Sequence, residues 1–157
     1  MNGLCKVMAG ISEETIRKAL GGTYKPLIDA IVAGTIKGCV GIVGCNNPRI
    51  KQDYGHITLA KELIKRNILV VETGCSAIAC GKAGLLVPEA ADLAGEGLAS
   101  VCRLLGIPPV LHMGSCVDCS RILVLAANIA KSSALASGIS QWWSSSGVVR
   151  SQGRAQS

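Results

Sequence analysis

Three apolar runs of strand length punctuate the chain, and each ends in a glycine-containing turn and a cysteine. They read Val40-Gly41-Ile42-Val43-Gly44-Cys45, Ile68-Leu69-Val70-Val71-Glu72-Thr73-Gly74-Cys75 and Val110-Leu111-His112-Met113-Gly114-Ser115-Cys116. Strands are predicted over about Gly38–Val43, Ile68–Val71 and Val110–Met113. Helical patterning fills the intervals. Ser12 before Glu13 and Glu14 supplies a capping hydroxyl and first-turn acids, and Gly21-Gly22 stops that helix. Pro26 to Ala33 reads as a second short helix closed by Gly34. Asn46-Asn47-Pro48 is a turn. From His56 to Arg66 the apolar positions 57, 59, 60, 63 and 64 have helical spacing. Cys75 to Ala83 is helix-compatible and ends at Gly84. Pro88-Glu89 opens a longer helix predicted to reach Leu105 despite Gly95 and Gly97, and Gly106 with Pro108-Pro109 breaks it. Val117 to Lys131 reads as the next helix.

Nearly continuous apolar strands suit a sheet covered on both faces by helices, as in parallel α/β folds. The expected fold is therefore α/β: a Rossmann-like parallel sheet with flanking helices, built from three βα units joined by right-handed crossovers. All parallel strands end on one edge, so the three cysteines share one rim. Residues 1–131 form that domain. Residues 132–157 hold nine serines, Trp142-Trp143, two arginines and no acid, and read as a low-complexity, disordered tail.

Composition adds a second constraint. At 157 residues the chain suits one domain. Charged residues are 17%, against about 25% in typical soluble domains. Hydrophobic residues reach 49%, and there is no Phe. Such a chain is short of charge to cover its own outside, so part of its apolar surface is expected to face another domain or subunit. No run approaches the roughly 18 apolar residues of a membrane span, and no transmembrane segment or secretory signal is expected. The net charge of +6 comes from scattered basic residues with few aromatics between them, a solvated surface rather than a nucleic-acid site. Eight cysteines without a signal segment place metal or catalytic roles ahead of disulfides, in a reducing, cytoplasmic setting.

The chemistry concentrates on Cys45, Cys75 and Cys116. A thiol where a strand meets a helix N-terminus feels positive partial charge and ionises more readily. Thiolates hold soft metals and iron–sulfur clusters. Gly44, Gly74 and Gly114 allow the backbone to approach a bulky ligand. The alternative is that each is a small buried hydrophobe, giving a noncatalytic Rossmann-like interaction module with buried or simple metal-binding cysteines. Cys39, Cys80 and Cys102 are expected in the core, and Cys5 is uninformative. Cys116-Val117-Asp118-Cys119 is a lone CxxC, which leaves a thiol–disulfide role open. His56 is expected at a helix start, at the surface or in a cap. His112 is expected as a satisfied core histidine, Lys82 as solvated, and Asp118 with Arg121 as a pair that positions a turn. Nothing here supplies a Ser-His-Asp set, paired catalytic carboxylates or a Walker motif. Gly95-Glu96-Gly97 does not follow a strand, so a dinucleotide fingerprint is weak.

The segments GIVGCNNPRIKQDYGH (41–56), LIKRNILVVETGCSAIACGKAGLL (63–86) and GIPPVLHMGSCVDCSRIL (106–123) resemble the catalytic subunit of nickel-containing, anaerobic carbon monoxide dehydrogenases. The resemblance covers roughly residues 11 to 131. It implies a fragment of the region that binds the C-cluster, a Ni-4Fe-4S type centre, where CO and water become CO2, two protons and two electrons. It implies Cys45 and Cys75 as ligands of the cubane and Cys116 as the thiolate on nickel and the catalytic cysteine. The family's remaining ligands, a histidine and two cysteines, have no counterpart in this chain. Neither do the motifs for its further 4Fe-4S clusters, nor a lysine that assists proton transfer. The implied partners are CO and CO2 as substrate and product, a ferredoxin-like electron acceptor, and a second copy in a homodimer. The isolated fragment is expected to be inactive.

Overall fold

The computed structural model describes residues 7–136 and 148–150, with side chains described for residues 7–131. Helix α1 (Glu13–Ala19) starts where Ser12 accepts a hydrogen bond from the Thr15 amide at 3.3 Å, and α2 (Lys25–Val32) follows. Strand β1 (Gly38–Val43) leads through a loop to α3 (Tyr54–Lys65), β2 (Ile68–Thr73) and α4 (Gly74–Lys82). A 3-10 turn (Pro88–Leu93), α5 (Glu96–Leu105), β3 (Val110–Gly114), a second 3-10 turn (Cys116–Asp118) and α6 (Cys119–Ala136) complete the three βα units.

The sheet order is β3-β2-β1-β4, and every pairing is parallel. Register is set by Val40 opposite Val70 and by Val70 opposite Val110. Helices cover both faces, as the unbroken apolar strands require. Ile42, Val70, Val71, Val110 and Leu111 are essentially inaccessible, against Ala60 and Ile64 of α3, Leu98 of α5 and Ile122 of α6. Each such aliphatic side chain contributes about 1.5–3 kcal/mol by leaving water. Leu104 and Val117, both 85% exposed, and Val32, Leu123 and Ile78 remain on the outside. That matches the shortage of charge read from composition.

Three expectations change. The helix predicted over Pro88–Leu105 is two pieces, because Ala94 and Gly95 are extended, with ψ 165° and 155°. The side-chain oxygen of Asn67 accepts from the Leu98 amide at 2.9 Å and starts α5 afresh. The two glycines are there for close approach: a Cβ on Gly95 would strike Asn67, and one on Gly97 would strike the Thr35 carbonyl. Second, His56 is 4% exposed, not superficial. Third, the sequence region read as a tail begins with the last turn of α6, to Ala136, and contains Val148–Arg150, which pairs with β1 as β4. The two valines are strand formers that fit an open edge. The rest of that region, including Trp142-Trp143, lies outside the described residues, as does Cys5. Among the described residues no helix is long and apolar enough to cross a membrane.

Candidate metal centre

Strands β1, β2 and β3 lie side by side, so their carboxyl ends form one continuous edge. Cys45 comes two residues after β1, Cys75 is the second residue of α4 immediately after β2, and Cys116 opens the 3-10 turn after β3. The edge of an open α/β sheet is where ligands are placed.

The three thiols converge. Cys45 feels the charge of the neighbouring Cys75 most, then a hydrogen bond with that thiol, then the charge of Cys116; together they push Cys45 above the ordinary thiol range. This reverses the expectation of easier ionisation at that position, because the neighbouring thiols repel a negative charge on Cys45. Gly74 closes the other side of the group. An added Cβ there would lie 2.6 Å from Sγ of Cys116, so the missing side chain is the space that the Cys116 thiol occupies. Cys45 and Cys116 are exposed and Cys75 is half-buried. The trio faces solvent rather than packing as core.

The backbone around each thiol is fixed separately. After Cys45, the Asn46 amide donates to Asp53 Oδ1 at 2.8 Å, and the Asp53 N–H donates to Asn46 Oδ1 at 2.9 Å. Asp53 also pairs with Lys82 at the end of α4. Lys82 is exposed, as expected, and also ties the loop after Cys45 to the helix that carries Cys75. The Lys82 ammonium and the Asn46 amide hold the Asp53 carboxyl below the usual range. Beside Cys75, the buried Ser76 hydroxyl is shared between the carbonyls of Thr73 at 2.9 Å and Ile42 at 3.1 Å. That bond locks α4 onto both neighbouring strands. Around Cys116, Asp118 Oδ2 accepts from the Ser115 amide at 2.7 Å and its hydroxyl at 2.9 Å. Asp118 Oδ1 meets Arg121 at 3.3 Å, as the sequence suggested. A Cβ on Gly114 would collide with the Asp118 carboxylate.

Cys119 joins the periphery: its sulfur lies 3.2 Å from Thr73 Oγ1, bridging the turn after β3 to the end of β2. His112 is a satisfied histidine, its Nδ1 accepting from the Gly10 amide at 2.9 Å. Cys80 and Cys102 are core residues, and Cys39 packs half-buried against the core. Burial pushes the thiols of Cys39 and Cys102 up to about 12. Sequence reasoning passed over Glu72, which is fully buried. The signal was present, an acid inside an otherwise apolar strand.

Among the described residues no three His, Cys, Asp or Glu side chains close around a point suited to a single metal ion. The trio is a rim of soft donors without carboxylates. That donor set fits a polynuclear iron–sulfur or nickel centre, whose ligands attach to different metal atoms, better than a chelated hard cation. The space kept open at Gly74 is consistent with that fit.

The model of the Prismane/CO dehydrogenase family matches residues 5–141. Carbon monoxide dehydrogenase 1 of Methanosarcina mazei is 67% identical over 125 residues, which is 80% of this chain and 20% of that protein. A nickel-free carbon monoxide dehydrogenase from Thermococcus sp. AM4 superposes with a TM-score of 0.77 at 61% identity, covering 85% of this chain and 21% of that one. A chain from an acetyl-CoA synthase/carbon monoxide dehydrogenase, whose alpha subunits carry NiZn[Fe4S4] and NiNi[Fe4S4] clusters, superposes with a TM-score of 0.74 at 42% identity, covering 78% and 20%. The chain thus spans about a fifth of the length of the curated relatives it matches.

Proposed function

The chain belongs to the Prismane/CO dehydrogenase family, and from that premise we propose that it forms part of the metal centre of a carbon monoxide dehydrogenase. In this reading Cys45 and Cys75 hold the iron–sulfur portion and Cys116 holds nickel. The observation that carries the proposal is the convergence of three thiols on one sheet edge, with Gly74 leaving room for the Cys116 sulfur. When bound, the centre supplies Lewis acidity and an electron store for oxidising CO with water to CO2, two protons and two electrons.

The chain's own part is positioning. Ser76 fixes the register of the Cys75 turn against two strands. Asp118 holds the Cys116 turn through both Ser115 donors, and the two hydrogen bonds keep its carboxyl ionised below the usual range. The Asn46–Asp53–Lys82 group holds the loop behind Cys45. Gly74 keeps a carbon atom out of the space the Cys116 thiol occupies, and Gly114 leaves room for the Asp118 carboxylate that holds the turn. A thiolate displaced by an ångström from its metal loses both bond strength and alignment, so these supports govern loading as well as turnover.

The remaining ligands, the outer 4Fe-4S clusters, a ferredoxin-like acceptor, homodimer formation and a cytoplasmic setting belong to the same proposal for the longer protein. With part of its ligand set, the isolated chain should retain iron and sulfide yet turn over little or no CO. Anaerobic loading with iron, sulfide and nickel, followed by metal analysis and CO-dependent dye reduction, tests this. Equal metal retention by a variant with serine at 45, 75 and 116 would overturn the ligand assignment. Robust CO oxidation by the isolated chain would overturn its incompleteness.

A further inference from the structure

Glu72 has no place in the positioning scheme above, and its surroundings are unusual for an acid. It lies in β2, three residues before Cys75, with no exposed surface. Its Oε1 accepts only the thiol of Cys80, at 3.5 Å, a weak donor. Its Oε2 has no partner among the described residues. A buried polar atom without a partner asks for a physical reason.

The groups around it can be named element by element. From α4 come Cys80 and Lys82, and Lys82 is paired with Asp53. From α3 and its start come His56, Lys61 and Asp53; Asp53 and Lys61 act on the Cys80 thiol, and His56 acts on Asp53. β1 places Ile42 alongside, and β3 places His112. α6 packs on the other face of the strand, where Thr73 meets Cys119. Among the described residues no cation offsets a charge on the carboxyl, so a proton is the available counter-charge. Burial accordingly raises the carboxyl from the ordinary range to about 7. His112, opposite Glu72 in the β2–β3 register, also lines an open surface groove with Lys82, Gly81 and Leu86.

We propose that Glu72 is the charge-compensating acid of the thiolate site, taking up one proton for each electron delivered to a centre held by Cys45, Cys75 and Cys116, and releasing it on oxidation. The inference rests on the metal-centre reading above. The electron comes from an external low-potential reductant and the proton from water, so one negative charge and one positive charge enter together. The physical cause is mutual repulsion. An added electron three residues away makes a second buried negative charge costlier, and in a poorly screened interior that cost is relieved by protonation. Glu72 acts through the centre's charge, not by touching a reacting atom.

The test uses this chain loaded anaerobically with iron and sulfide. Infrared difference spectra, reduced minus oxidised, near pH 7.5 should show a protonated carboxyl band appearing on reduction. The band should shift on 13C labelling of glutamate and be absent in Glu72→Gln. The midpoint potential of the wild type should fall with pH through the neutral range, by about 59 mV per tenfold change in proton activity for one proton per electron. In Glu72→Gln it should be flat, and Glu72→Asp should restore part of the slope. A merely structural glutamate would move neither readout. A loaded wild-type chain with no labelled carboxyl band, or a slope unchanged by Glu72→Gln, overturns this inference alone. A wild type that retains no iron and sulfide overturns the metal-centre reading and this inference with it. If Glu72→Gln fails to fold, the labelled wild-type band decides the matter by itself.

Discussion

Replacing Gly74 by alanine separates the steric design of the site from ordinary backbone strain. Gly74 has φ +61°, and its added Cβ would lie 2.6 Å from Cys116 Sγ and 3.5 Å from the Cys116 Cα. An alanine in the left-handed region costs roughly 1–2 kcal/mol. The added carbon clashes only with the tip of an exposed side chain, so the metal-free protein relieves it by moving the Cys116 thiol away. Gly84 supplies the control, because it has φ +73° and nothing within 4 Å of an added Cβ. Gly84→Ala should therefore lose only the backbone part, roughly 1–2 kcal/mol, and retain iron like the wild type. Gly74→Ala should lose a similar amount, roughly 1–2 kcal/mol, but, with the Cys116 thiol displaced, retain much less iron after anaerobic loading. Urea unfolding of the three proteins gives the energies, and metal analysis gives the retention. Iron retention by Gly74→Ala equal to that of Gly84→Ala would refute the claim that Gly74 makes room for Cys116.

Other consequences can be read in the same assays. Burial raises the Glu72 carboxyl from 4.5 to about 7, so between those values the folded chain holds a proton that the unfolded chain has released. That contribution is fully present below pH 4.5 and is lost as pH rises through about 7, at most about 3.5 kcal/mol at roughly 1.4 per unit. The metal-free wild type should thus lose stability relative to Glu72→Gln between pH 5 and pH 8 in urea unfolding; parallel curves would contradict it. Ser76→Ala removes the hydroxyl shared by the Thr73 and Ile42 carbonyls and should cost about 1–3 kcal/mol, with lower iron retention. An unchanged urea midpoint would show that this bond does not anchor α4.

The strands and the cysteine edge were legible because both depend on local rules. A short apolar run ending at Gly-Cys can be read without knowing its neighbours, and parallel order then carries the three ends to one side. β1 was predicted over the residues it occupies, Gly38–Val43. What failed depended on distant contacts. Gly95 and Gly97 look tolerable in a helix until Asn67 and the Thr35 carbonyl are seen against them. Lys82 is exposed, as expected, but its pairing with Asp53 depends on where the loop after β1 runs. His56 sits where a surface residue would, yet the helix turns it inward. Val148 and Val149 are too short a run to announce a strand, and only the open edge of β1 gives them a partner. Glu72 was visible as an acid among aliphatic residues, but whether a partner awaits such a residue is a question of packing. The three thiols of the proposed site could be read from the strand ends, whereas the Asn46–Asp53–Lys82 group and the Ser76 bond could not, because they join residues from different elements.

The most direct measurement is alkylation of each cysteine in the chain with and without a loaded centre, read by mass spectrometry under native anaerobic conditions. The account predicts that iron and sulfide protect Cys45, Cys75 and Cys116 together and that removing the metal releases all three at once, while Cys80 and Cys102 stay unreactive in both states. An identical labelling pattern in the two states, or protection of one member of the trio without the others, would contradict it.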